Sequence, residues 1–379
     1  MFSSSSSAPM VAPVSPISSS AAPPNALFSM PPVPFSASNP SSSEMGCLAR
    51  VAAGHLRKPF FLLALFLASC LPGLPDSPTL PSGNYRVPTG VRFNLLRRDF
   101  LLHVPAGYRG DRPLPLLLVM HGAFSTGAET EVETGFSILA DREGFLVAYP
   151  EGIGLFGWLQ HWNAGHCCGK AAADDIDDIA FVDAVIAAVR QRLAVDPRRI
   201  YMVGMSNGGM FTYRYAAERT SVLAAAAVVG GAIGSRLEGG GEPWQVPPPA
   251  LPLPIVIMHG LADEHVPAAG GKSPRKGGVR SYAPVTEAVE FWKSANGCIG
   301  NPRETMERQG ALRRQQWQDC AQGSVVELDL FADWKHRWPA PHSTGTLPAE
   351  DRLRGFDASA AVWDFLRRYQ RESGQDAKR

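Results

Sequence analysis

With 379 residues and 45% hydrophobic content, the chain is long enough to fill one sizeable core. Lysine and arginine total 36 against 35 for aspartate and glutamate, so the net charge offers no field for a phosphate backbone or an anionic membrane surface. Nucleic acid is therefore not an expected partner.

Residues 1–44 are mostly Ser, Pro and Ala and hold too few large apolar side chains to offset the entropy of ordering; they are expected to be disordered or untranslated. Met45 opens a segment with the form of an export signal, in which Arg50, His55, Arg57 and Lys58 precede an apolar run from Phe60 to Leu67. That run is too short to span a bilayer as a helix. It ends in Leu67-Ala68-Ser69-Cys70, which resembles a lipobox, where cleavage precedes a cysteine that receives lipid; an ordinary secretory signal is the alternative. Residues 45–70 thus read as the signal, 71–84 as a Pro/Gly-rich tether, 85–372 as one folded domain and 373–379 as a disordered tail. The expected location is outside the cytoplasm, secreted or lipid-anchored at Cys70, with membrane contact only through that anchor. Cys167, Cys168, Cys298 and Cys320 remain for disulfides in an oxidising compartment. Cys298 with Cys320 is favoured, on either side of a polar, Arg-rich loop, and the partners of Cys167 and Cys168 stay open. His166-Cys167-Cys168 places ligands too close together for tetrahedral zinc, so no metal is expected.

Within the domain, apolar strand-like runs alternate with amphipathic segments. An extended region over 93–104 reads as an antiparallel edge pair. Continuous apolar runs at 114–120, 145–149, 200–203, 224–229 and 255–258 predict buried parallel strands. The clearest helix is 176–193, where Ile179, Val182, Ile186 and Val189 recur at helical spacing. Acids at 174–178 suit the start of that helix, where they cap free N–H groups, better than a calcium loop. Further helices are expected after Glu129, after Ser206, and over 285–294 and 358–369. The pattern is α/β, a mostly parallel central sheet with helices on both faces.

Chemistry concentrates after the strand at 200–203, which runs into Gly204-Met205-Ser206-Asn207-Gly208. This is G-x-S-x-G in strand, turn and helix context, where small neighbours let a strained turn project a serine nucleophile. A serine needs a base, and the base an orienting carboxylate. The strand at 255–258 leads to Asp263. After it come His265, too near in sequence to reach the serine, His336 on a loop after the strand-like run 325–331, and His342, a reserve. Ser206, Asp263 and His336 are the expected catalytic set. Backbone N–H groups of Asn207 and of Ala123 or Phe124 are expected to form the oxyanion hole. His121 and His259 read as structural histidines that bond their loops. Trp158, Trp162 and Trp338 are candidates to line an aromatic cleft, or else ordinary packing residues.

The ordered set HGAFSTGAET, WNAGHCCG, DDIDDIAFV, GMSNGGM, HGLADEHVP and HRWP resembles the polyhydroxybutyrate depolymerase and feruloyl esterase-like branch of the α/β-hydrolases, over roughly residues 85–370. The resemblance implies a single α/β-hydrolase domain and cofactor-free hydrolysis of an ester substrate, possible substrates being polyester oligomers, feruloylated polysaccharide and small acyl esters. One departure is present. The family has a run of glycines before the base and a glycine after Trp-Pro, where this chain reads ADWKHRWPA. Trp334 and Lys335 resist tight or positive-φ turns, so the loop is expected to take another path. Lys335 and Arg337 would also disfavour an imidazolium at His336. A catalytically inactive envelope lipoprotein that binds saccharide or polyester in the same cleft is the alternative reading.

Overall fold

The computed structural model describes residues 80–94, 96–155, 158–237, 243–273, 280–339, 347–348 and 350–372. The signal segment, Cys70, His342 and the 373–379 tail lie outside the described residues. Ten strands form the main sheet: β1 (Gly83–Phe93), β2 (Leu96–Val104), β3 (Leu114–Met120), β4 (Leu146–Pro150), β5 (Val195–Met205), β6 (Ala225–Val229), β7 (Ile255–Gly260), β8 (Arg303–Glu307), β9 (Leu312–Trp317) and β10 (Val326–Phe331). Their order is β1-β2-β4-β3-β5-β6-β7-β10-β9-β8. The six central strands from β4 to β10 run parallel, and antiparallel pairs close both edges.

Burial on both faces explains the continuous apolar runs. Alternate residues of one strand enter different cores, as period-two geometry requires. Leu116, Leu118 and Met120 join one cluster, whereas Leu117 and Val119 join the other. The helices are α1 (Gly127–Thr134), α2 (Phe136–Glu143), α3 (Gly169–Ala173), α4 (Asp178–Arg190), α5 (Asn207–Glu218), α6 (Val285–Ala295) and α7 (Ala358–Leu366). Helices α4, α5 and α6 cover the first face through Phe181, Phe211 and Trp292, and α2 and α7 the second through Phe136 and Trp363. Asp177 caps α4 by accepting the Ala180 N–H, and buried Asp178 pairs with Arg98 of β2 at 2.7 Å. Of the other acids in that run, Asp174 pairs with Lys170 and Asp175 accepts from the Asn163 side chain.

Three local features differ from the sequence reading. Strand β1 begins at Gly83, inside the stretch assigned to the tether. The Arg-rich region between Cys298 and Cys320 is a β-hairpin, β8 and β9, added to the sheet edge. Its exposed face is held by Arg313 on Glu304, and its inner Arg314 makes a two-pronged contact with Asp329 of β10, so charge rather than apolar alternation fills an edge strand. Four short strands, among them Gly234–Leu237 and Arg280–Tyr282, make a small second sheet whose polar runs carry no strand signal. Cys298 and Cys320 form a disulfide, and adjacent Cys167 and Cys168 are bonded to each other.

Candidate active site

Ser206 sits between the end of β5 and the first residue of α5, with φ 55° and ψ −122°, a conformation side chains rarely adopt. The flanking glycines are forced by contact. A Cβ on Gly204 would lie 2.3 Å from the Gly208 carbonyl oxygen, and one on Gly208 would lie 2.3 Å from that of Met120. Sheet and helix close on each other only because both side chains are absent.

The turn after β7 and the loop after β10 bring two partners to this serine. His336 Nε2 stands 2.7 Å from Ser206 Oγ, and its Nδ1 stands 2.6 Å from Asp263 Oδ2. Asp263 Oδ1 accepts the backbone N–H groups of His265 and Val266 at 2.8 and 2.9 Å. Burial pushes the Asp263 carboxyl up, but the hydrogen bond and charge of His336, the Val266 N–H and His259 outweigh it and hold the group below its ordinary range. An ionised Asp263 fixes the proton of neutral His336 on Nδ1 and leaves Nε2 to accept from the serine hydroxyl. His259, fully buried, bonds the Val266 carbonyl through Nε2 at 2.8 Å and so braces the acid's turn. The ring of His265 stacks on that of His336 at 4.9 Å and 12°.

The loop after β3 lies against Ser206: a Cβ on Gly122 would be 3.6 Å from Ser206 Cβ. Of the two N–H groups expected there, that of Phe124 donates to the Gln160 carbonyl at 2.9 Å and is committed to the fold. Of the two, Ala123 remains the candidate donor of this loop. Asn207, at the first position of α5, has a backbone N–H with no acceptor inside the helix.

The tryptophan cleft is corrected. Trp162 is fully buried and stacks on Phe181 and Phe211, and Trp338 is 1% exposed with its ring edge-on to Phe136. Large rings gain more by filling the two cores than by facing water, and both are core residues. The side chain of Trp158 lies outside the described residues. Exposed apolar surface comes instead from Phe124 and Leu159, at 55% and 49%, neighbours through the Phe124 to Gln160 bond. Both have positive φ, 68° and 51°.

Trp162 has another use that the sequence did not reveal. Its backbone N–H donates to Asn207 Oδ1 at 2.7 Å and its carbonyl accepts from Asn207 Nδ2 at 3.0 Å. Its indole Nε1–H donates to the His121 carbonyl at 3.0 Å. One buried residue therefore ties the loop after β3 to the start of α5.

Residues 98–238 match the model of the esterase PHB depolymerase family. The chain is 31% identical over 289 residues to NocK of Nocardia uniformis subsp. tsuyamanensis, covering 71% of this chain and 79% of that protein. It is 28% identical over 300 residues to feruloyl esterase C of Emericella nidulans, 78% of this chain and 90% of that one. Against feruloyl esterase B of Piromyces equi it is 29% identical over 233 residues, 61% of this chain but only 41% of the length of that protein. Together with the α/β-hydrolase sheet, these likenesses establish that the chain belongs to the esterase PHB depolymerase family of carboxylic-ester hydrolases.

Proposed function

We propose that this protein is an exported serine esterase that cleaves carboxylic esters through an acyl-enzyme on Ser206. The observation that carries the reading is the unbroken chain from Ser206 Oγ to His336 Nε2 and from His336 Nδ1 to Asp263 Oδ2. His336 takes the hydroxyl proton as Oγ attacks the ester carbonyl. The N–H groups of Ala123 and Asn207 receive the negative charge on the carbonyl oxygen. His336 then returns the proton to the leaving alkoxide, and a water activated by the same imidazole hydrolyses the acyl-serine. Asp263 stabilises the imidazolium in both halves.

Relatives named feruloyl and acetylxylan esterases support an aromatic or acetyl ester of a saccharide as substrate, with polyester oligomers next. Phe124 and Leu159 offer apolar surface to the acyl group beside the nucleophile. Export with lipid attachment at Cys70 completes the proposal; mass spectrometry of envelope fractions should find a lipidated amino-terminal Cys70 peptide, and an unmodified one would refute the anchor. The function is tested by hydrolysis of p-nitrophenyl acetate and methyl ferulate by wild type and Ser206→Ala. A wild-type rate lost in the variant supports it, and equal rates, or none in folded wild type, defeat it.

A further inference from the structure

We infer that His121 is the positioning residue that sets the oxyanion hole, by holding the Gly122 carbonyl so that the Ala123 N–H faces the reacting carbonyl. This rests on the hydrolytic reading of Ser206. In a trans peptide the C=O and the N–H of one unit point in opposite directions. The Gly122 oxygen and the Ala123 N–H belong to one unit, so whatever holds the first orients the second. A glycine on one side of that unit leaves rotation of the peptide cheap, and a flipped peptide would put an oxygen where a donor is needed.

Two hydrogen bonds prevent the flip. His121 Nδ1 stands 2.8 Å from Gly122 O, and the Ser125 N–H donates to the same oxygen at a longer 3.3 Å. The donor role of Nδ1 is fixed from the far side of the ring. There the Gly152 N–H donates to His121 Nε2 at 3.0 Å, which requires a lone pair on Nε2 and hence the proton on Nδ1. The ring is fully buried, and burial lowers its pKa to about 4, so this neutral tautomer persists at neutral pH. Trp162 then registers both donors: it holds the His121 carbonyl through its indole and the Asn207 side chain through its backbone.

The test compares His121→Asn with His121→Gln, using p-nitrophenyl acetate. Asn carries an N–H near the Nδ1 position and can keep the Gly122 bond, whereas Gln reaches the Nε2 position and cannot. His121→Gln should lose about 100-fold in kcat with KM little changed, the size of one lost oxyanion donor. Its affinity for a trifluoromethyl ketone, whose bound hemiketal carries the same oxyanion, should fall in parallel. His121→Asn should recover most of both at a similar melting temperature. Equal kcat in the two folded variants, or a loss confined to KM, overturns the assignment of His121 alone. An inactive wild type instead overturns the hydrolytic reading beneath it. The imidazole 15N spectrum of the wild type should also show a neutral Nδ1–H ring, insensitive to pH between about 5 and 9, that disappears in His121→Asn and His121→Gln; if the ring those variants remove is protonated on Nε2, the role is refuted.

Discussion

Asp263→Asn tests the proposed orienting acid with the least disturbance of the fold. The carboxylate uses its two oxygens differently: Oδ1 serves two backbone N–H groups, and Oδ2 serves His336. A carboxamide has one acceptor oxygen, and the two N–H groups at 2.8 and 2.9 Å claim it. Its NH2 must then face His336 Nδ1 and turn that nitrogen into an acceptor, which moves the ring proton to Nε2 and aims it at the serine. The base is removed by tautomer with no atom displaced. In serine hydrolases this exchange lowers kcat about 10⁴-fold, equivalent to about 5.5 kcal/mol of transition-state stabilisation. Because the turn keeps both backbone bonds, melting should shift little. Initial rates on p-nitrophenyl acetate, beside thermal unfolding of the same samples, measure both effects. A variant within tenfold of wild type would refute the claim that Asp263 orients the base, and Asp263→Asn combined with His336→Ala should be no slower than His336→Ala alone.

Buried His121 and His166, with pKa values lowered by burial to about 4 and about 3, fold neutral but unfold with ordinary values near 6.5. Depressed folded values mean that their stabilisation is complete above about pH 6.5 and is lost as pH falls towards 4; between pH 7 and 5 each should forfeit about 2 kcal/mol of unfolding free energy. Denaturant titrations at the two pH values measure this, and a pH-independent stability would contradict it. Asn207→Ala leaves the buried Trp162 N–H without its acceptor, while the Trp162 carbonyl keeps the Ala164 and Cys168 N–H groups; about 1 to 3 kcal/mol of stability should go with that one orphaned donor, and kcat should fall further than the folded fraction does. Replacing Cys298 and Cys320 by serine opens a loop 22 residues long and should cost about 3 kcal/mol in chemical unfolding. Esterase rate at room temperature should be unchanged, because that link ties α6 to the outer hairpin rather than to any catalytic loop; a proportional loss of activity would show otherwise.

The parallel core was readable because a strand buried on both faces has no polar positions to blur its apolar run, and β3 and β7 are buried throughout. The serine turn was readable for a related reason: Gly204 and Gly208 are fixed by contacts at 2.3 Å that admit no side chain. Where polar side chains do structural work the signal disappears. Hairpin β8 and β9 is built from Arg and Glu pairs, and composition alone makes that a loop. Trp162 was left open between a cleft wall and ordinary packing, and it is the packing alternative that holds. Only the three-dimensional placement shows its indole donating to His121 from within the core. Phe124 was proposed as a donor through its backbone, and the bend that commits its N–H to Gln160 is invisible in the residue type.

The base loop is where family pattern and chain diverge most, and its conformation bears on the inactive-binder alternative. That alternative drew on glycines missing before His336, but among the described residues Trp334, Lys335, His336 and Arg337 all avoid positive φ. No glycine is required of them. The loop is anchored by Trp334, 3% exposed, whose indole N–H donates to the Arg337 carbonyl at 3.0 Å and whose carbonyl accepts the Ala262 N–H at 3.1 Å. The small residue this path needs lies on the neighbouring strand: a Cβ on Gly260 would stand 2.1 Å from the Trp334 carbonyl oxygen. The Lys335 and Arg337 side chains are exposed, and the Arg337 guanidinium lies 4.2 Å from the Trp334 ring centre. Solvent screens their charges, while Asp263, 1% exposed and 2.6 Å away, acts on the imidazolium at close range and low dielectric. The substituted loop thus still brings His336 Nε2 to 2.7 Å from Ser206 Oγ and Nδ1 to 2.6 Å from Asp263 Oδ2, the arrangement that the proposed esterase requires.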